Sequence, residues 1–161
     1  MKRIIAASLL LLTACNNLTI GVAVAAIGTA GAGLEAYCAA SAGNCTPGEV
    51  GLGIAVVAEA VNEEATLLSG AATSVVIAQS VANLTTLLTQ AKILPQNGEV
   101  LGIEAAIQVA IPLIQALVAA NTTVQPSGLI VRTVTVITIR LTAKDRAKLK
   151  AMDAKIAAVR H

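Results

Sequence analysis

Tyr37 is the only aromatic side chain in 161 residues, and that scarcity limits what this chain can fold into. Aromatic rings normally dominate the energetics of a small core. Here 56% of the residues are hydrophobic and only 12% are charged, against about 25% charged in ordinary soluble domains. The core must be assembled from Ala, Val, Leu, Ile and Gly, through many small contacts between closely approaching backbones. The same scarcity argues against nucleic-acid binding, because splayed bases favour aromatic stacking platforms.

Apolar spacing sets the fold class. Thr46-Pro47-Gly48-Glu49 is a helix start: the hydroxyl caps, proline suits the first helical position, and Glu49 can close a capping box. From it a stripe runs Val57, Val61, Glu64, Leu68, Ala71, Val75, Ala78 and Ala82, with a second row of Ile77, Val81, Leu84, Leu88 and Ala91. Both follow helical periodicity, and Gly70 is placed to break or kink the helix. Residues 65–91 lack charge but put Thr, Ser, Gln and Asn on the other face, which predicts a bundle helix and not a membrane span.

Leu94 to Gly98 reads as a turn with Asn97 as the next cap. Residues 99–120 form a mostly apolar helix, kinked by Pro112 and marked only by Gln108 and Gln115; its place is predicted to be central. Residues 18–37 are apolar and rich in small side chains, and are expected to pack as a helix on the rest of the protein. The alternative is a segment lying in a membrane. Gly31, Gly33 and Ala36 match a dinucleotide-binding spacing, but no strand precedes them, so they read as small-residue packing.

Asn121 to Gly128 is a loop containing Pro126. Leu129 to Leu141 is β-branched, a strand by local signals. It needs a partner for its backbone groups, either residues 18–26 or a neighbouring subunit. Thr142 to Asp145 opens a last helix over 143–160. Its stripe of Leu149, Met152, Ile156 and Val159 is flanked by Lys148, Lys155 and Arg160, and is too short to be stable alone. The expected architecture is mainly α: a small helical bundle with one long β-strand near residues 129–141 and a C-terminal amphipathic helix.

The N-terminus adds an address. Lys2 and Arg3 precede an apolar run, Ile4 to Leu12, too short to span a bilayer. Leu12-Thr13-Ala14-Cys15 resembles the bacterial lipobox, a likeness covering about the first seventeen residues. The resemblance implies that residues 1–14 are a lipoprotein signal peptide, cut before Cys15 after its thiol takes a diacylglycerol. Residues 15–161 then form a single helical domain, anchored in the membrane through lipid on Cys15. Several acyl chains anchor far more firmly than one. Asn16, in place of Asp, implies a cell-envelope location at the outer membrane, facing the periplasm. With Cys15 committed to lipid, Cys38 and Cys45 remain as an even pair in an oxidising compartment. A disulfide across the turn-like Ala-Ala-Ser-Ala-Gly-Asn would contribute about 2.5 kcal/mol by loop entropy. Two free thiols are the alternative.

Charge is divided along the chain. From Cys15 to Val131, seven acids meet one base, Lys92; from Arg132 to His161, eight bases meet two acids, giving net charges of −6 and +6. The basic tail is expected to dock on acidic helical surface within the protein or its oligomer, with Lys148 and Lys155 near Glu59 and Glu63, the alternative being a free membrane-binding arm. Leu149, Met152, Ile156 and Val159 would supply the burial.

Little in the sequence points to chemistry. The lone histidine, His161, is the last residue, no G-x-S-x-G elbow or phosphate-binding loop occurs, and Glu59, Glu63 and Glu64 read as a solvated or salt-bridged face. No catalytic residue, metal site, cofactor or small-molecule substrate is implied. The expected function is a non-enzymatic envelope lipoprotein with a structural or protein-interaction role, acting as a homo-oligomer or on an envelope protein partner. In size and alanine-rich composition the chain is also similar to small prophage-encoded lipoproteins. That likeness implies the alternative, a membrane-active factor of lysis or exclusion.

Overall fold

Three glycines on one helix decide how this bundle closes. The computed structural model describes residues 19–41, 44–121 and 136–160. Cys15 and the export signal, residues 129–135 of the expected strand, and His161 lie outside them. The described elements are α1 (Ile20–Ala40), α2 (Pro47–Leu68), β1 (Ala71–Thr73), α3 (Ser74–Ile93), α4 (Gly98–Asn121), β2 (Val136–Thr138) and α5 (Ala143–Arg160).

The helix starts form where local chemistry places them. Thr46 Oγ1 accepts the Glu49 N–H at 3.2 Å, while the Thr46 N–H donates to Glu49 Oε2 at 2.7 Å. Thr142 and Asp145 repeat the reciprocal box at 2.8 and 3.1 Å. Asn97 Oδ1 accepts from the backbone of Glu99 and Val100, capping α4. Each cap satisfies amides that the first helical turn leaves without partners.

Helix α1 is the spine, buried on nearly every side from Gly21 to Leu34 and packed by α2, α4 and α5. Its glycines permit this. A methyl group on Gly31 would come within 2.9 Å of Val56 and 3.1 Å of the Val57 backbone nitrogen. One on Gly28 would collide with Met152, and one on Gly21 with Asp145. These contacts also fix direction. Gly21, Gly28 and Glu35 meet Asp145, Met152 and Arg160 in turn, so α5 runs parallel to α1. Gly28 faces Ala60 and Glu35 faces Gly53, so α2 is antiparallel. Helix α4 is also antiparallel, with Glu99 beside Gly33 and Val109 sharing a groove with Val22.

Several expectations change. The central place belongs to α1 and not to residues 99–120, because α4 buries a single face: Val100, Ile103, Ile107, Ala110 and Ile114. Gln108 and Gln115 lie on its exposed side. The stripe from Val57 to Ala82 is out of phase: Val61, Leu68, Val75, Ala78 and Ala82 are exposed. The buried face of α2 is Leu52, Val56, Val57, Ala60 and Leu67. Val61 and Leu68 already lie off the buried face within α2, and beyond it no helical phase can be carried through Gly70, whose φ of +75° ends α2 in the left-handed region. The second row holds, with Ile77, Leu84 and Ala91 buried and Val81 and Leu88 half-buried.

Of the described residues of the expected strand, 136–141, only Val136–Thr138 is strand, and its partner among the described residues is β1 and not residues 18–26. It pairs antiparallel with β1, Ala72 opposite Ile137, and the Ile139 N–H donates to Gly70 O at 2.8 Å. The turn after Gly70 supplies this short edge. Ile137, which is fully buried, pins the clasp to the core.

Candidate functional site

Two regions collect the polar chemistry, and they treat buried carboxyl groups in opposite ways. The first is a cleft of about 210 Å³ between α2 and α3, lined by Glu59, Glu63, Ser80 and Asn83 among others. Glu59 and Glu63 stand one helical turn apart on α2 and therefore share a face. Ser80 and Asn83 are likewise neighbours on α3. Asn83 Nδ2 donates to both Glu59 oxygens at 3.2 and 3.0 Å, and Gln79 Nε2 holds Asn83 by donating to its Oδ1 at 2.8 Å.

Glu63 is 7% exposed and Ser80 8%. Neither Glu63 Oε1 nor Ser80 Oγ has a hydrogen-bond partner among the described residues. Burial, with the Glu59 charge adding to it, pushes the Glu63 carboxyl up to about 7. Burial also raises Glu59, against the opposing hydrogen bond from Asn83. On an adjoining face Glu64 is pushed up to about 7 by burial and then by Asp153 of α5, which accepts a hydrogen bond from it and repels its charge. A carboxyl shifted this far holds its proton near neutrality.

The second region is the junction of the first turns of α1 and α5. Asp145 is 1% exposed. Burial alone would raise its carboxyl, but hydrogen bonds from Thr142, Thr19 and the backbone of Thr142 and Val22 hold it below the usual carboxylate range. The Thr19 hydroxyl donates to Asp145 Oδ1, joining the two helices at one end of the bundle.

The acidic trio is thus not a solvated or salt-bridged face. Glu59, Glu63 and Glu64 are buried, and no basic side chain reaches them among the described residues. The ion pair given by the described residues is Arg160 with Glu35, at 3.5 Å. The basic tail docks on α1 and not on the α2 acids. Leu149, Met152 and Ile156 are buried there and Val159 half-buried, while Lys148 and Lys155 remain exposed. Where α5 does meet an α2 acid, the pair is Glu64 with Asp153, acid against acid. Cys38, near the end of α1, and Cys45, just before the α2 cap, form a disulfide, tying the two helices together at the other end.

The sequence reading missed Ser80 and Asn83. A signal existed: Ser80 falls three residues after Ile77 and four before Leu84, a hydroxyl set within a buried apolar row. Chemically, the cleft presents acceptors and shifted carboxyls. No group of three His, Cys, Asp or Glu side chains among the described residues could hold a metal ion. No protein-family model matches this chain, and no curated protein or solved structure matches it.

Proposed function

We propose that the protein is a membrane-anchored envelope lipoprotein with a structural or protein-interaction role and no catalytic activity, held through lipid on Cys15 at the outer membrane, facing the periplasm. The observation that carries this reading is the position of Leu12-Thr13-Ala14-Cys15, four residues ahead of the cap of the helix that forms the spine. Four residues reach at most about 14 Å. Lipid on Cys15 therefore holds the body directly against the bilayer and not on a long tether.

The α2–α3 cleft supports the interaction role. Its carboxyls meet no cation from this chain among the described residues. A Lys or Arg side chain of a protein partner brings the N–H donors that Glu63 Oε1 and Ser80 Oγ accept. Ser80 Oγ has no hydrogen-bond partner among the described residues to take its proton, so the cleft suits binding better than nucleophilic chemistry.

Expression of the full chain and of Cys15→Ser in a bacterial host, with labelled palmitate, tests the anchor. The parent should be labelled and sediment with membranes; the variant should remain an unlabelled precursor. A variant with normal mature mass and membrane retention overturns the proposal.

A further inference from the structure

The anchored end of the bundle carries a surface of its own. Helix directions sort the exposed side chains into two ends. The Thr19–Asp145 hydrogen bond sets the start of α5 beside the start of α1. Antiparallel α2 brings Leu68 to the same end, and the β1–β2 clasp follows directly from it. Arg140, Lys144, Arg146 and Lys148 are exposed there, with Leu68 and Val136 as exposed apolar neighbours, 51% and 65% accessible. The acid in the first turn of α5 is Asp145, which is buried and occupied by its four hydrogen-bond donors. Of the acids, Glu35, Glu49 and Glu99 lie toward the opposite end, where Glu35 contacts Gly53, Glu49 sits in the α2 cap and Glu99 lies against Gly33, whereas Glu59, Glu63 and Glu64 are buried on the half of α2 that ends at Leu68.

From this polarity we infer that the end bearing Arg140, Lys144, Arg146 and Lys148 is a docking surface for an anionic phospholipid bilayer. The inference rests on the anchor for its choice of partner, since Cys15 lies within about 14 Å of this end. Basic residues close to a membrane bind acidic headgroups, and exposed apolar side chains beside them can enter the interface. A surface of this kind suits a bilayer better than a soluble polyanion, because Leu68 and Val136 have nothing to gain from phosphate alone. Docking here turns the Cys38–Cys45 end away from the lipid, toward protein partners.

The experiment uses the full chain carrying Cys15→Ser, so that lipidation plays no part and the anchor is judged separately by palmitate labelling. Co-sedimentation is measured at low salt with phosphatidylcholine vesicles, with and without phosphatidylglycerol. Two charge-matched variants are compared: Lys144→Gln/Lys148→Gln at the anchored end, and Lys92→Gln/Lys155→Gln away from it. All four lysines are exposed. The parent should prefer phosphatidylglycerol vesicles by about tenfold or more. The first variant should lose about tenfold of that affinity, and the second less than about twofold. Equal losses from the two variants, or no preference for anionic vesicles, overturn the inference. So does a preference that remains undiminished in Lys144→Gln/Lys148→Gln.

Discussion

Asp145 and Glu63 are both buried carboxyl groups, yet one lies below the usual carboxylate range and the other is pushed up to about 7. Burial acts on both in the same direction. The difference lies in donors: Asp145 receives two hydroxyls and two backbone N–H groups, whereas Glu63 Oε1 receives none among the described residues. Partners, and not depth, decide whether a buried acid stabilises a fold or strains it. The first carboxyl is part of the framework, and the second is left without a donor among the described residues.

Removing the framework acid should produce the largest effect. Asp145→Ala deletes the α5 cap and leaves the Thr19 and Thr142 hydroxyls without their acceptor. The cost should be about 3 kcal/mol, summing a lost cap and buried groups left unsatisfied. Urea denaturation of the parent and the variant near pH 7 measures it. A loss under about 1 kcal/mol would mean that the Thr19–Asp145 junction does not hold α5 to the spine.

The comparison sharpens with pH. The Glu63 carboxyl binds its proton more tightly in the folded chain than at its ordinary 4.5. Its contribution is therefore fully present below about pH 4.5 and is lost as pH rises through about 7. Glu64 follows the same sign. Asp145 runs the other way: its contribution is present above its ordinary value of 3.8 and is lost as pH falls through its lowered folded value. Stability should thus peak in mildly acid solution and decline through neutrality. Glu63→Gln, which cannot ionise, should be more stable than the parent at pH 8.5 by on the order of 2 kcal/mol and nearly equal to it at pH 4.5. Melting temperatures across that range test this. A variant that is less stable at pH 8.5 would show that Glu63 has a hidden cationic partner.

How much of this was legible in sequence depends on whether the cause was local. Thr46–Glu49, Asn97 and Thr142–Asp145 were readable because a cap and its amides lie within three residues of one another. The Cys38–Cys45 pairing was readable from a short intervening turn. The apolar row Ile77–Leu84–Ala91 was readable because polar residues mark its other side. Residues 99–120 were ranked central in place of α1, since apolar and small residues on all sides of both helices leave no preferred face to tell them apart. Which one becomes the spine is decided by glycines 21 and 28 meeting α5 and glycine 31 meeting α2. Ala71–Thr73 was invisible as a strand because three residues carry no alternation, and only the left-handed turn at Gly70 delivers them to Val136–Thr138.

The division of charge, the most conspicuous long-range pattern in the sequence, should matter least to stability. An acidic body and a basic tail suggest internal neutralisation. Yet the pair they yield among the described residues is Arg160 with Glu35, where the arginine side chain is 49% exposed and the contact is 3.5 Å. An exposed pair at that distance is screened by water and salt and costs side-chain entropy to hold. Helix α5 is held by Leu149, Met152 and Ile156, each burying apolar area worth about 2 kcal/mol. Arg160→Ala should therefore change stability by only a few tenths of a kcal/mol, and its effect should vanish in about 1 M salt. Guanidinium would mask the ion pair, so urea denaturation at low and high salt is the measurement. A loss above about 1 kcal/mol would return the tail's charges to the fold. Without such a loss, the remaining bases of α5 are free to face outward.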